Sequence, residues 1–412
     1  MVKIKEYWTQ LFIVLGVIGP GLITANIDND AGGVATYSLA GSHTGYRLLW
    51  VLTPITIALI MVQEMSARMG IVSGKGLADL IREKFGLKVT FYTLIFLIFA
   101  DLGNTMAEFA GIAAAGEIFG ISRYITVPVC SVLVWLLVLK GDYKIVERIF
   151  LFGCLVYLSY IISGLLIKPD WSLVAESLFI PDVKNIQKSD FPIIVGLLGT
   201  SITPWMQFYI QSAVVEKGIS PKNLIHSKID VVVGCLSMLT VTVFIIICCA
   251  ATLNVNGIKI QSAAEAAVAL KPFAGEYSSL LFALGLFNAS FFAAALLPLA
   301  TSYYVCEGLG WESGVDKNFN EAPNFFTIFT ALIIFSAILV LIPSIDLFQV
   351  LIWSQVVNGI LIPIILVYIL KLCNDPEIMG EYTNSNFFNA ICYLIIGLMI
   401  GVNGAMIYLE VF

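Results

Sequence analysis

An apolar segment from about 11 to 50 is interrupted by the sequence Asp28-Asn29-Asp30-Ala31-Gly32-Gly33. A second apolar segment, about 191–215, is interrupted by Thr200-Ser201-Ile202-Thr203-Pro204. Carboxylates are costly inside a segment that crosses a membrane, so the aspartates are candidates for a functional site. Interruptions in corresponding helices point to the binding site of a secondary transporter. The two breaks therefore predict a solute carrier, and the carboxylates indicate a cation.

The composition excludes a large soluble protein. The chain has 412 residues, of which 59% are hydrophobic and 12% are charged, and its mean hydropathy is +0.94. A soluble domain would carry about 25% charged residues, and several apolar runs exceed the ~20 residues that span a bilayer. The 8 cysteines lack Cys-x-x-Cys spacing, and the 2 histidines, His43 and His226, are far apart. We therefore expect no metal site built on histidine or cysteine.

Hydropathy predicts eleven membrane spans and no soluble domain. Fifteen Lys and Arg lie in loops that are cytoplasmic if the N-terminus is inside, against seven in the other loops. This charge bias predicts a cytoplasmic N-terminus and, for eleven spans, an extracellular C-terminus. We expect this multi-pass protein in the plasma membrane because the chain is short and shows no organelle signal. The predicted spans are about 11–40, 47–69, 89–119, 122–140, 146–167, 189–217, 229–254, 277–306, 324–343, 347–372 and 386–409.

The interrupted spans are the first and the sixth, which predicts an internal repeat. Two five-helix halves that each open with a broken helix are typical of inverted-repeat transporters. Repeat one would cover about 11–167, repeat two about 189–372, and an extra helix about 386–409. The chain 1–412 would then be a single transmembrane domain, and we expect it to be monomeric, without a nucleic-acid partner.

The first break has the chemistry of a hard-cation site. Gly32 and Gly33 permit non-helical backbone, which at membrane depth must line a cavity or be buried in protein. Freed carbonyl oxygens and the Asp30 carboxylate are the ligands that suit magnesium, calcium or manganese. Asp28 has two possible roles, because it could face the same cavity or cap the second half-helix.

At the second break, Pro204 cannot donate a backbone hydrogen bond and clashes with the preceding turn. Thr200 and Thr203 would supply hydroxyl and carbonyl oxygens to the same site. The alternative is a proline-kinked helix whose threonines bond back to their own turn. The coincidence with the Asp30 break favours the site.

Two other spans carry polar residues. Asp101 and Glu108 are seven residues apart and so share one face of the third span. They are interpreted either as buried, hydrogen-bonded carboxyl groups or as a cation vestibule. Gln355 and Asn358 could both point to the centre of the bundle, although amides of this kind commonly join helices to one another.

Four stretches beyond the first break match one known family: Gln63-Glu64-Met65-Ser66-Ala67-Arg68-Met69-Gly70, Leu281-Phe282-Ala283-Leu284-Gly285-Leu286, Ser354-Gln355-Val356-Val357-Asn358-Gly359 and Met379-Gly380-Glu381-Tyr382. On these stretches the chain resembles the NRAMP family of divalent metal transporters over essentially its whole length. This resemblance implies an all-α membrane protein with two inverted five-helix repeats in a LeuT-like fold, in which helices 1 and 6 are unwound at the midplane.

The substrate motifs depart from the family pattern. Typical members carry Asp-Pro-Gly-Asn in the first helix, where this chain has Asp30-Ala31-Gly32-Gly33. The family's metal-binding aspartate therefore corresponds to Asp30, and its asparagine is replaced by Gly33. In the sixth helix the family's methionine position is Thr203 and its histidine position is Trp205, while Thr200 is the residue that lends a carbonyl.

The family's proton route is also altered. Its acidic pair in the third helix corresponds to Thr105 and Glu108, so one carboxylate is missing. The ninth span, 324–343, contains no Lys or Arg, although a basic residue there serves the proton route of the family. These losses predict transport without strong proton coupling.

The departures also predict the preferred ion. A thioether favours transition metals over magnesium, so Thr203 leaves an all-oxygen site, and Gly33 widens it. Magnesium keeps several of its waters and uses one or two carboxylates as ligands. The chain thus resembles the magnesium-transporting branch of NRAMP-related proteins, and manganese is expected to pass too. The implied metal residues are Ile27, Asp28, Asp30, Gly33, Thr200, Thr203 and Gln355, and the implied coupling or vestibule residues are Thr105, Glu108 and Trp205.

Four other functions compete with this prediction. One is an ordinary proton-coupled manganese and iron importer, and another is an organic-solute symporter, which Asp30 disfavours if the ligand is an anion. A cation receptor would usually carry an output domain, for which the loops are too short. An enzyme is not expected because no nucleophile–base pair is evident, and no cofactor is expected beyond the transported ion.

Overall fold

The computed structural model describes residues 19–140, 143–260 and 263–411, and these ranges contain helices but no β-strand. The predicted start of the first span, 11–18, lies outside the described residues. So do Lys3 and Lys5, which were counted for the orientation.

The first half of the chain contains both pieces of the first broken helix. The helix that precedes the break has eight residues and the helix that follows it has 14. The helices are α1 Pro20–Ile27, α2 Ala31–Thr44, α3 Leu52–Ser73, α4 Leu77–Phe85, α5 Leu87–Ile118, α6 Arg123–Lys140, α7 Tyr143–Val156, α8 Leu158–Ile167 and α9 Trp171–Phe179.

The second half of the chain also begins with two short helices that are separated by a break. The helix that follows that pair continues as a π-helical turn over Ala250–Asn254. The helices are α10 Phe191–Ser201, α11 Pro204–Glu216, α12 Leu224–Cys249, α13 Ala263–Leu309, α14 Pro323–Val340, α15 Leu347–Cys373, α16 Pro376–Met379 and α17 Asn386–Val411.

Ten segments within the described ranges are long and apolar enough to cross a membrane. The predicted first span is not among them, and its start lies outside the described residues. The count of eleven spans therefore stays a prediction. The predicted eighth span starts at about 277, whereas the helix that contains it, α13, already begins at Ala263. The alanine-rich start of α13 favours helix in a segment that hydropathy alone assigns to a loop.

Small residues let α1 cross α12 at close range. A Cβ atom on Gly21 would lie 2.8 Å from the backbone nitrogen of Val231, and one on Gly234 would lie 2.6 Å from the carbonyl oxygen of Gly21. Glycines of this kind allow backbones to approach in membrane proteins. The crossing places α1 directly against α12.

The N-terminus of α1 is capped by a carboxylate from α12. Asp230 accepts hydrogen bonds from the backbone nitrogens of Gly19 (3.2 Å), Gly21 (2.7 Å) and Leu22 (3.2 Å). A carboxylate at this end satisfies free N–H groups and interacts favourably with the helix dipole. Asp230 therefore fixes α1, whose other end leads into the first break.

The helices α10 and α15 meet at Gly199 and Gly359. A Cβ atom on Gly199 would lie 2.5 Å from the backbone nitrogen of Gly359 and would overlap the carbonyl of Gln355. This contact holds the start of the second break against α15.

We expect Gly199→Ala to destabilise the protein by about 1–3 kcal/mol, since the added methyl group must push α10 away from α15. Thermal unfolding of the purified protein in detergent would measure the loss. Gly397→Ala is the matched control, because a Cβ atom at that exposed position of α17 meets no atom within 4 Å. Equal melting temperatures for the two variants would contradict this account of the packing.

Candidate metal site

The first break is organised by Asp30. Helix α1 ends at Ile27 and α2 begins at Ala31. Asp30 has an extended backbone, and its Oδ1 accepts a hydrogen bond from the Gly33 nitrogen at 2.6 Å. It is thus the N-cap of α2, where a negative charge is favourable. The sequence left capping by Asp28 open, and the structure gives that role to Asp30.

Asp28 instead connects the two breaks. Helix α10 ends at Ser201 and α11 begins at Pro204, so that Thr203 lies between them with an extended backbone. Its hydroxyl donates to Oδ1 of Asp28 at 3.4 Å. The structure therefore does not show the alternative in which Thr203 bonds back to its own turn.

Three oxygen atoms converge beside Gly33. A Cβ atom on Gly33 would lie 2.8 Å from the carbonyl oxygen of Asp28, 2.9 Å from Oγ1 of Thr200 and 3.3 Å from Oδ1 of Asp30. All three residues are buried. A carbonyl, a hydroxyl and a carboxylate within this distance of one point form a donor set that suits hard divalent cations. Gly33 allows the convergence because it has no side chain.

Glu108 adds a second carboxyl group from α5. Its Oε2 accepts a hydrogen bond from the backbone nitrogen of Ala31 at 3.1 Å, and the carboxyl lies next to that of Asp30. Of the predicted pair Asp101 and Glu108, only Glu108 reaches the break. The Glu108 carboxyl therefore satisfies a free backbone N–H group in the first turn of α2 and adds a second acidic group to the site.

Several oxygens around the breaks lack hydrogen-bond donors. Within the described part of the chain, Oδ2 of Asp28, Oε1 of Glu108 and Oγ1 of Thr200 are buried without a hydrogen-bond partner. Buried polar atoms are normally satisfied, and a bound cation with its waters would satisfy these. Residues 19–140, 143–260 and 263–411 contain no cluster of three His, Cys, Asp or Glu side chains that could hold a metal. Carbonyl and hydroxyl oxygens would therefore have to complete the ligand set.

The other predicted residues lie around this centre. Ile27 is buried at the end of α1, and the amide nitrogen of Gln355 occupies the place that a Cβ atom on Gly32 would take. Thr105 donates its hydroxyl to the Asp101 carbonyl of its own helix at 2.7 Å. Trp205 is buried in the first turn of α11. The contacts of Thr105 and Trp205 do not place them at the oxygen cluster, and their roles stay predictions.

The hydrogen-bond partners of Asn29 were not predicted from the sequence. Oγ1 of Thr242 on α12 donates to Oδ1 of Asn29 at 2.9 Å, and Nδ2 of Asn29 donates to the Met238 carbonyl at 3.5 Å. These bonds turn Asn29 away from the oxygen cluster while its neighbours Asp28 and Asp30 face it. A threonine in an apolar span is common, so the sequence carries no signal for Thr242.

We expect Gly33→Ala to weaken divalent cation binding at least about tenfold, because the added carbon takes the position on which the three oxygens converge. Calorimetric titration of the purified protein with Mg²⁺ and Mn²⁺ would measure this. Gly103→Ala is the control, since its Cβ atom would lie at an ordinary 3.8 Å from Ser354. Unchanged affinity in Gly33→Ala would show that cations bind elsewhere.

Proteins of known sequence resemble the chain along nearly its full length. It is 27% identical over 409 residues to the divalent metal cation transporter MntH of Caldanaerobacter subterraneus subsp. tengcongensis, covering 96% of this chain and 93% of that protein. It is 26% identical over 409 residues to MntH of Aeromonas hydrophila, covering 95% of each. Because these relatives are named as transporters, the prediction that the chain is not an enzyme is confirmed.

Solved structures share the fold. A crystal structure of the Eremococcus coleocola manganese transporter matches with a TM-score of 0.78 at 20% identity, over 96% of this chain and 86% of that one. A nucleobase-cation-symport-1 family transporter matches with a TM-score of 0.60 at 13% identity, over 95% of this chain and 91% of that one. The predicted all-α, LeuT-like membrane fold is confirmed.

The broken helices, the oxygen cluster at Gly33 and the shared fold agree with one further comparison. Residues 21–409 match the family described as "Natural resistance-associated macrophage protein-like". Since this match covers far more than half of the chain, the protein belongs to the Nramp family.

Proposed function

We propose that this protein imports divalent cations by alternating access, with Mg²⁺ as the preferred ion and Mn²⁺ as a second substrate. The observation that carries the proposal is the convergence of the Asp28 carbonyl, the Thr200 hydroxyl and the Asp30 carboxylate beside Gly33. The relatives named as divalent metal cation transporters and the manganese transporter structures support a divalent cation as substrate.

The preference for Mg²⁺ follows from the donor atoms. Thr203 occupies the methionine position of typical family members, and its hydroxyl bonds to Asp28. The sulfur of Met206, in the next turn, instead accepts a bond from Gln63 at 3.7 Å. An oxygen-only donor set removes the advantage that transition metals gain from a thioether.

The number of carboxyl groups at the site also favours a partly hydrated ion. Magnesium dehydrates reluctantly and is usually held by one or two carboxylates together with waters. Asp30 and Glu108 provide two carboxyl groups, and the unsatisfied oxygens of Asp28 and Thr200 could accept hydrogen bonds from metal-bound water. Direct ligation by Asp30 with waters bridging to the other oxygens would satisfy both the ion and the protein.

Transport would be driven by the membrane potential without strong proton coupling. Trp205 replaces the histidine of typical members, and the hydroxyl of Thr105, at the second acidic position, bonds within its own helix. A potential of 100 mV contributes about 4.6 kcal/mol per divalent ion. The protein would act as a monomer in the plasma membrane, with its N-terminus cytoplasmic and its C-terminus extracellular.

A proton-coupled Mn²⁺ and Fe²⁺ importer is the second candidate. The adjacent carboxyl groups of Asp30 and Glu108 favour it, because such a pair can hold a proton that a metal ion displaces. The two candidate functions differ in whether protons enter together with the metal ion.

We expect proteoliposomes to take up Mg²⁺ under an inside-negative potential while their internal pH stays constant. A fluorescent Mg²⁺ indicator and a trapped pH dye would follow both quantities at once. Asp30→Ala is the negative control, since it removes the carboxylate of the site, and it should abolish uptake while the protein still folds. Internal acidification in step with metal entry would instead establish the proton-coupled importer.

We expect Thr203→Met to weaken Mg²⁺ binding and to strengthen Mn²⁺ binding, because it restores a soft ligand. Calorimetry with each ion would give both affinities, with wild-type Mg²⁺ binding in the sub-millimolar to millimolar range. Thr240→Met is the matched control on the exposed face of α12, where the hydroxyl bonds only to the Leu236 carbonyl. A wild-type protein that binds Mn²⁺ but no Mg²⁺ would refute the proposed preference.

A further inference from the structure

A chain of polar side chains leads away from the cation site. The amide nitrogen of Gln355 lies against Gly32, and its Oε1 accepts a hydrogen bond from Asn358 at 3.3 Å. Asn358 and Asn104 exchange two hydrogen bonds, of 3.0 and 3.2 Å. Asn104 then donates to Oδ1 of Asp101 at 3.1 Å. All four side chains are buried, so the chain runs through the protein interior from α15 to α5.

Asp101 ends this chain as an acceptor. Its Oδ2 accepts hydrogen bonds from the Thr301 hydroxyl at 3.0 Å and from the Tyr304 hydroxyl at 2.9 Å, both on α13. With the bond from Asn104, its two oxygens accept three hydrogen bonds. An ionised carboxylate can only accept, whereas each amide has one accepting and one donating end. Asp101 therefore determines which way the neighbouring amide groups are turned.

The orientation of each amide group fixes that of the next one, because the amides are joined by hydrogen bonds. Asp101 requires Asn104 to turn its nitrogen toward it. The two bonds between Asn104 and Asn358 then fix the second amide, since reversing one side chain would oppose donor to donor and acceptor to acceptor. Asn358 in turn presents a nitrogen to Oε1 of Gln355. The nitrogen of Gln355 is thereby left facing Gly32, the residue next to Gly33.

We propose that Asp101 is a positioning residue for the cation site, which acts through Asn104 and Asn358 to hold Gln355 with its amide nitrogen toward Gly32. In this orientation Gln355 presents a nitrogen toward the break and not an oxygen that could bind the ion, and the same nitrogen donates to Oγ of Ser354 at 3.3 Å. The inference rests on the proposed function, and it revises the expected role of Gln355, which is then not a ligand of the ion.

If the amide groups of this hydrogen-bonded series were reversed, the partial charge that faces the ion would change. In Asp101→Asn, the Tyr304 hydroxyl still donates and holds the new amide oxygen on its side, whereas the Thr301 hydroxyl can give its single proton to the Leu297 carbonyl. The new amide nitrogen then faces Asn104, which must reverse, and the reversal passes through Asn358 to Gln355. An oxygen would replace a nitrogen next to Gly32, which makes the site more attractive to a cation.

The test is a comparison of Asp101→Asn with the wild-type protein by Mg²⁺ calorimetry and by uptake into proteoliposomes. We expect Kd and KM for Mg²⁺ to fall about five- to tenfold and kcat to fall as release slows. A gain in affinity separates a positioning role from a structural one, because damage to the fold would weaken binding. Unchanged or weaker binding in Asp101→Asn would overturn the proposal.

Two controls test whether the effect of Asp101→Asn on Mg²⁺ binding is transmitted through Gln355. Ser302→Ala removes a buried hydroxyl that bonds only to the Pro298 carbonyl of its own helix at 2.8 Å, and it should leave both constants unchanged. Gln355→Leu should cancel the gain when combined with Asp101→Asn, because the altered group is then absent. A gain that persists in the double variant would overturn the route through Gln355.

A second variant keeps the test independent of the folding of Asp101→Asn. Asn358→Asp offers only acceptors to Gln355, so it draws the amide nitrogen of Gln355 away from Gly32 and should also tighten Mg²⁺ binding in a Gln355-dependent way. A wild-type protein that neither binds nor transports divalent cations would refute the proposed function itself. A wild-type protein that binds Mg²⁺, beside variants without a gain, would refute only the role of Asp101.

Discussion

The free backbone N–H groups at the start of α2 impose the constraint on which the rest of the site depends. A helix can end inside a membrane only where the polar groups it frees find partners in the protein. Asp30 satisfies the nitrogen of Gly33 and Glu108 satisfies that of Ala31. Asp230 does the same at the start of α1. Carboxylates are used at each point because helix N-termini favour negative charge.

The same constraint makes the site selective for cations. Each carboxylate has a second oxygen or a second lone pair that the helix does not use, and the oxygens left over at Asp28, Glu108 and Thr200 lack donors within the ranges that the structure describes. Negative groups that lie in a low-dielectric interior without a cation attract one strongly. The break is therefore a structural feature that can serve as the proposed binding site because its own polar groups are only partly satisfied.

The sequence predicts the parts of this arrangement that are local. Glycines, a proline and aspartates inside apolar runs mark both breaks, and their spacing leads to Asp30, Thr200 and Thr203. The contacts that orient the site join distant residues, as when Tyr304 bonds to Asp101 across 203 positions. Serines and threonines are frequent in membrane helices, so no pattern identifies Thr301 as a partner of Asp101. Hydropathy likewise missed the start of α13, because helix propensity and not apolar character extends that helix.

The substitutions that distinguish this chain from typical family members are physically linked. A side chain at Gly33 would lie 2.8 Å from the Asp28 carbonyl, so a larger residue at this position requires the first break to shift. The Asp28 side chain is held at the same break by the Thr203 hydroxyl. Gly33 and Thr203 therefore act together, because the glycine admits the Asp28 carbonyl and the threonine holds the Asp28 side chain. Thr203→Met alone restores a soft ligand but removes the hydroxyl contact of Asp28, so we expect the full preference for transition metals only when both residues are changed.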